Sequence, residues 1–210
     1  MNFLDEFLWA ILGLLLTIAG TFMEAAIAIP TFMTGESGME LPTSLSAIPV
    51  YSLPVSYQVA AVLLVGCMGG RQAAALSQIA YLVLGLSGFQ VFSQGGGLGY
   101  WQEPTFGYLI GFIPGAWICG WLAVPKPPED KNAPRPSPRL EWLVLSCLAG
   151  LLAIHLCGLL YLAGLGIAGK LPLPFVELAQ QYSLFPLPGQ LVIVCIIAFF
   201  SRVLRFVLIY

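Results

Sequence analysis

Polar and aromatic side chains, all but Glu103 uncharged, recur at what hydropathy marks as one set of span ends: Gln58, Gln78, Tyr81, Gln90, Gln94, Tyr100, Trp101, Gln102, Glu103, Thr105, Tyr108 and Gln190. Amides and hydroxyls donate and accept hydrogen bonds while aromatic rings exclude water, so such groups held at one depth form a small-molecule binding cavity rather than a catalytic centre. The usual catalytic apparatus is thin. There is one histidine, His155, and the five cysteines, Cys67, Cys119, Cys147, Cys157 and Cys195, fall inside apolar runs with no CxxC pair. This argues against a metal site or a disulfide framework and reads the cysteines as small core or lipid-facing residues.

The stretch Ser93-Gln94-Gly95-Gly96-Gly97-Leu98-Gly99-Tyr100, followed by Glu103-Pro104-Thr105-Phe106-Gly107-Tyr108, is a glycine-rich loop opening a helix. Glycines let backbone N–H groups approach a ligand, and a helix N-terminus favours an acceptor. It has no Lys-Ser/Thr pair and no preceding strand, which excludes a nucleotide-phosphate loop.

The elements that position these groups follow from composition. Of 210 residues 59% are hydrophobic and 9% charged, with a mean hydropathy of +0.90, against roughly a quarter charged in a soluble domain. A formal net charge of −2 without a basic tract leaves no footprint for nucleic acid. The chain belongs in a lipid bilayer, as one all-α membrane domain. About 20 apolar residues cross the hydrocarbon core, and this ruler predicts six spans near 7–29, 57–69, 72–86, 106–124, 140–162 and 189–209. Asp5 and Glu6 stand where a signal peptide carries Lys or Arg, so the first run is a retained span. Glu24 falls inside it, an ionisable group that is costly in lipid.

Glycines around Arg71 predict a tight turn over 66–71 between an antiparallel pair. An even span number puts both termini on one side, with Arg71, Lys126, Lys131, Arg135, Arg139, Arg202 and Arg205; only Lys170 lies on the other. The positive-inside rule makes the termini cytoplasmic and the plasma membrane the expected location. Residues 125–138, with six prolines, form an extended cytoplasmic linker. Residues 30–56 form a long outer loop with Glu36 and Glu40, and 175–182 a short interfacial helix.

Leu53-Pro54-Val55-Ser56-Tyr57-Gln58, Gly69-Gly70-Arg71, Tyr81-Leu82-Val83-Leu84-Gly85-Leu86-Ser87-Gly88, Val91-Phe92 and Glu103-Pro104-Thr105-Phe106-Gly107-Tyr108-Leu109-Ile110-Gly111-Phe112 together resemble BioY proteins, the biotin-binding substrate subunits of energy-coupling-factor (ECF) vitamin transporters. The strong part of the likeness runs from Leu53 to Trp121. It implies a six-helix substrate-subunit fold that captures biotin with high affinity from outside, while a transmembrane coupling subunit and two ATPases drive release inward. The chain has no Walker motif of its own, and no cofactor is implied.

Location and motif match together nominate Gln94, Tyr108, Thr105, Tyr81, Gln58 and Gln190 as ligand contacts, Phe92 as an apolar wall and Glu103 as a gate or polar contact. Two places depart from the family pattern. Glu103 and Phe106 replace small residues of Gly-Pro-Thr-Gly-Gly-Tyr. Gln190 and Ile193 replace the acid and lysine of Pro-Gly-Asp-x-x-Lys, leaving a biotin carboxylate to Lys170, backbone amides or water. A substrate subunit for another small vitamin-like solute is the alternative reading. A remoter one takes Gly85-Leu86-Ser87-Gly88 with His155-Leu156-Cys157-Gly158, which resembles pieces of rhomboid intramembrane proteases, as a Ser87/His155 dyad. A lone His155 on a helix is otherwise a buried, hydrogen-bonded residue.

Overall fold

The computed structural model describes residues 3–28, 50–124 and 139–208. Along the chain lie α1 (Phe3–Thr21), β1 (Glu24–Ala28), β2 (Val50–Ser56), α2 (Gln58–Leu86), a 3-10 turn (Leu98–Gln102), α3 (Phe106–Ala123), α4 (Leu140–Ile167), α5 (Phe175–Ala179), a π-turn (Gln180–Leu184) and α6 (Leu187–Leu208). Among the described residues five stretches are long and apolar enough to cross a membrane: α1, α2, α3, α4 and Phe175–Val207. Their outward faces carry exposed Leu15, Leu152, Leu160, Phe199 and Phe206, an apolar belt that water would not tolerate and lipid requires. This is a multi-pass membrane protein. The 125–138 linker and the part of the long loop that holds Glu36 and Glu40 lie outside the described residues.

The second of these helices folds back on itself. Gly70 breaks it with φ 75° and ψ 179°, a region that side chains with a Cβ rarely enter. Gln58 and Tyr81 are 23 positions apart, a rise of about 35 Å on a straight helix. Their side chains nevertheless hydrogen-bond at 2.7 Å. Residues 58–69 and 71–86 are therefore antiparallel arms, with the reversal concentrated at Gly70 rather than spread over 66–71. Val59, Val62, Leu63, Val65, Cys67 and Met68 of the first arm are all buried. Walled off from lipid by its neighbours, this arm can be shorter than a lipid-facing span.

Several expected boundaries shift. The first helix stops at Thr21, not 29, and residues 24–28 pair antiparallel with β2 in the register Glu24↔Ser56, Ala26↔Ser52, Ile27↔Tyr51 and Ala28↔Val50. Pairing gives these backbone groups partners that end the need for a helix. Glu24 thus belongs to a strand, and the helical architecture carries one small sheet that hydropathy did not announce. α4 continues past 162 to Ile167, and α6 starts at Leu187, with Pro188 in its first turn, where a missing N–H costs nothing.

Close approach holds the bundle. A methyl group on Gly115 or on Gly150 would stand 2.9 or 2.8 Å from the other's carbonyl oxygen, so α3 and α4 meet backbone to backbone through small residues. Where α1 begins and α6 ends, the buried Arg205 closes the bundle. Its Nη1 donates to Ala123 O at 3.1 Å and its Nη2 to Cys67 O.

Candidate functional site

At the opposite end, two hydrogen-bonded clusters form around the nominated residues. The first is the hairpin's own. Gln58 Nε2 donates to Thr21 Oγ1 (2.8 Å) and Tyr81 OH (2.7 Å), and Tyr81 OH donates to Val91 O at 3.0 Å. Gln78 extends it inward, donating to Thr17 Oγ1 at 3.1 Å. The hairpin reversal creates this cluster by returning 81 to the level of 58.

The second cluster joins α3, α4, the π-turn and α6. Tyr108 OH lies 2.7 Å from Ser183 Oγ, Ser183 Oγ 3.1 Å from His155 Nδ1, and His155 Nε2 2.7 Å from Gln190 Oε1. All four residues are buried. The amide oxygen of Gln190 can only accept, so the imidazole hydrogen is on Nε2 and Nδ1 is the acceptor. Ser183 then donates to Nδ1, and Tyr108 donates to Ser183. The chain is neutral and runs one way, from Tyr108 to Gln190.

An aromatic layer links the clusters. Phe92 meets Tyr81 edge-on at 5.2 Å and leans on Tyr100 at 4.6 Å; Tyr100, Phe106 and Tyr161 continue the row. Tyr182 packs 6.2 Å from Tyr108 and stands near Glu103 and Tyr100. Phe92 is held by a tight turn, in which the backbones of Phe92 and Gly95 exchange hydrogen bonds of 3.0 and 3.1 Å. The glycine-rich loop is thus a folded lid over Gly85 rather than an open anion cradle.

Tyr81, Gln58, Phe92, Tyr108 and Gln190 are therefore buried parts of this assembly. Thr105, half-buried, reaches it through Tyr100 at 3.4 Å, and Glu103 is half-buried beside Tyr182. Gln94 is exposed at the tip of the Phe92–Gly95 turn and makes no contact with either cluster among the described hydrogen bonds. Lys170 stacks its ammonium 4.6 Å over the Trp101 ring at the same end. Ile193, at the position of the family lysine, is buried in the core. An open groove of about 610 Å³ along Ala163, Gly166, Leu171 and Phe175 holds none of the nominated residues.

Sequence reasoning overlooked Thr21, Ser183 and the partnership of His155. Ser183 sits in what reads as an interfacial helix, and only its spacing before Gln190 could have hinted that both meet α4. The Ser87/His155 dyad does not form. Ser87 is exposed and donates to Val83 O at 2.7 Å, and both His155 nitrogens are taken.

The family model described as the BioY family matches residues 40–208. A probable biotin transporter BioY of Lysinibacillus sphaericus is 36% identical over 115 residues, 55% of this chain, which spans about half (54%) of that relative. A biotin transporter BioY of Rhizobium etli is 30% identical over 133 residues, covering 61% of this chain and 68% of the relative. The crystal structure of an S-component for biotin from an ECF-type ABC transporter superposes with a TM-score of 0.64 at 18% identity, over 98% of this chain and 95% of that one. At that identity it shows a shared S-component fold.

Proposed function

The chain belongs to the BioY family, and from that membership we propose that it captures biotin from the outer side of the plasma membrane as the substrate-binding subunit of an ECF-type transporter. The observation that carries the reading is the buried chain Tyr108–Ser183–His155–Gln190 beside the aromatic layer. It is a preorganised polar wall against an apolar one, the composition a bicyclic ureido compound with an aliphatic tail requires. The family is one of transport subunits, so the protein is not an enzyme, and a coupling subunit with two ATPases supplies the energy.

Counting the two arms of α2 as separate crossings gives six, with both termini on the Arg205 side. Arg71, Arg139 and Arg202 belong to that same side, which the positive-inside rule makes cytoplasmic. The clusters then face outward. Gln190 offers N–H donors to an acceptor such as the ureido oxygen, and Lys170 on the rim is the cation within reach of a carboxylate.

A different small solute is the second reading, favoured by the absence of an acid at 190 and of a cation at 193. Titration of biotin into the purified protein in nanodiscs, stripped of co-purified ligand, decides between them. Saturable submicromolar binding supports biotin; no binding by a folded sample assigns the site to another solute.

A further inference from the structure

Away from the ligand end, three cysteines that are far apart in sequence converge. Cys67 comes from the first arm of α2, Cys119 from α3 and Cys147 from α4, and all three are fully buried. Cys67 Sγ lies 3.4 Å from Cys147 Sγ and 3.8 Å from Cys119 Sγ, and the three sulfurs fall within 4.8 Å of one another. An ion with metal–sulfur bonds near 2.3 Å holds its sulfurs about 3.8–4.0 Å apart, whether tetrahedral or trigonal. The Cys67–Cys119 separation matches this spacing, and the Cys67–Cys147 separation is shorter by a few tenths of an ångström.

Two further groups complete the surroundings. Ser201 of α6 is wholly buried with its hydroxyl beside the Cys67 thiol, where it makes no hydrogen bond of good geometry; a buried hydroxyl short of a partner is explained by an ion or a water at the site. The Arg205 guanidinium, one turn on, binds Cys67 O and brings a positive charge to the cluster. We propose that Cys67, Cys119 and Cys147 form a site for a thiophilic d¹⁰ cation of the zinc and cadmium class, with Ser201 Oγ as a fourth donor or a hydrogen-bond donor to a sulfur. As the three metal–sulfur bonds form, three S–H bonds break and three protons leave to solvent. A divalent ion on three thiolates carries one net negative charge, which Arg205 neutralises. Soft sulfur ligands select such ions over magnesium or calcium.

Cadmium is the probe, because its thiolate complexes absorb in the ultraviolet. The full chain in nanodiscs, with Cys157→Ser and Cys195→Ser to remove the two cysteines outside the cluster, is titrated with Cd²⁺ alone. The expected result is a charge-transfer band saturating at about one ion per chain, for a site with three thiolates, together with a raised unfolding temperature. The band is lost in Cys67→Ala, and Ser201→Ala weakens binding while keeping the band. Absence of the band in folded protein with the three thiols reduced overturns the proposal, as does a band that persists in Cys67→Ala, Cys119→Ala and Cys147→Ala alike. The unsubstituted cluster alone decides the first of these, so the proposal stays open to refutation even if an alanine variant fails to fold.

Discussion

Gln58 begins α2 and Tyr81 stands near its end, and the amide of the one donates to the phenol of the other at 2.7 Å. That bond sets the hairpin's level, and a second, from Gln58 Nε2 to Thr21 Oγ1, ties it to α1. Tyr81→Phe removes the oxygen that serves Gln58, Thr21 and Val91 O, leaving buried groups short of a partner. The expected loss is about 1–3 kcal/mol of stability, read as a lower unfolding temperature in nanodiscs. An unchanged temperature refutes a structural role for the cluster.

For His155 and Gln190 a double-mutant cycle separates a shared role from two independent ones. On the proposed function, His155→Ala and Gln190→Ala each weaken biotin binding by about 1–3 kcal/mol, the scale of a broken buried hydrogen bond. The double variant loses less than the sum, because His155→Ala already frees the Gln190 amide to turn, so that removing the amide as well costs less. Unchanged affinity in both single variants removes the Tyr108–Gln190 chain from the site.

Much of this architecture is legible from hydropathy alone: the apolar runs around 106–124, 140–162 and 189–209 became α3, α4 and α6 with only small changes at their ends. The reversal within 66–71 was visible too, though not its concentration at Gly70, because glycines beside an arginine inside an apolar run signal a turn. What hydropathy cannot convey is which helix faces meet. Tyr108, His155, Ser183 and Gln190 lie on four separate segments, and Cys67, Cys119 and Cys147 on three. Backbone approach between α3 and α4 brings Tyr108 to His155 and Cys119 to Cys147, a tertiary relation with no periodicity in the sequence. Gln94 stands apart for the opposite reason: it is a sequence neighbour of the buried Phe92, but the Phe92–Gly95 turn leaves it exposed.

At Gly85 the lid meets the bundle, and a methyl group there enters the space of the Phe92 ring. Gly85→Ala expels Phe92 from between Tyr81 and Tyr100, at a cost of about 1–3 kcal/mol for overpacking. The expected readout is faster proteolysis within 88–99 in the absence of ligand, partly reversed by saturating biotin. Equal proteolysis rates in variant and parent refute a locking role for the ring.

Arg205 offers two N–H groups to carbonyls of two different helices, a planar fork that a lysine cannot reproduce. Both Arg205→Met and Arg205→Lys are expected to lower the unfolding temperature, with lysine recovering less than half of the loss. Full recovery by lysine assigns the effect to charge alone and refutes the fork.

The folded-back helix also bears on how the chain is made. Its arms carry Gln58, Ser77 and Gln78 into the interior of the protein, and two of these, Gln58 and Gln78, find partners on Thr21 and Thr17 of α1. Because synthesis runs from the N-terminus, α1 is in place before the hairpin emerges from the ribosome, offering its hydroxyls to amides that would otherwise enter lipid unaccompanied. On this order of synthesis the first helix offers a template on which the two arms of α2 can pack. A circular permutant that begins at α2 would have to thread the same two amides with nothing yet waiting to receive them.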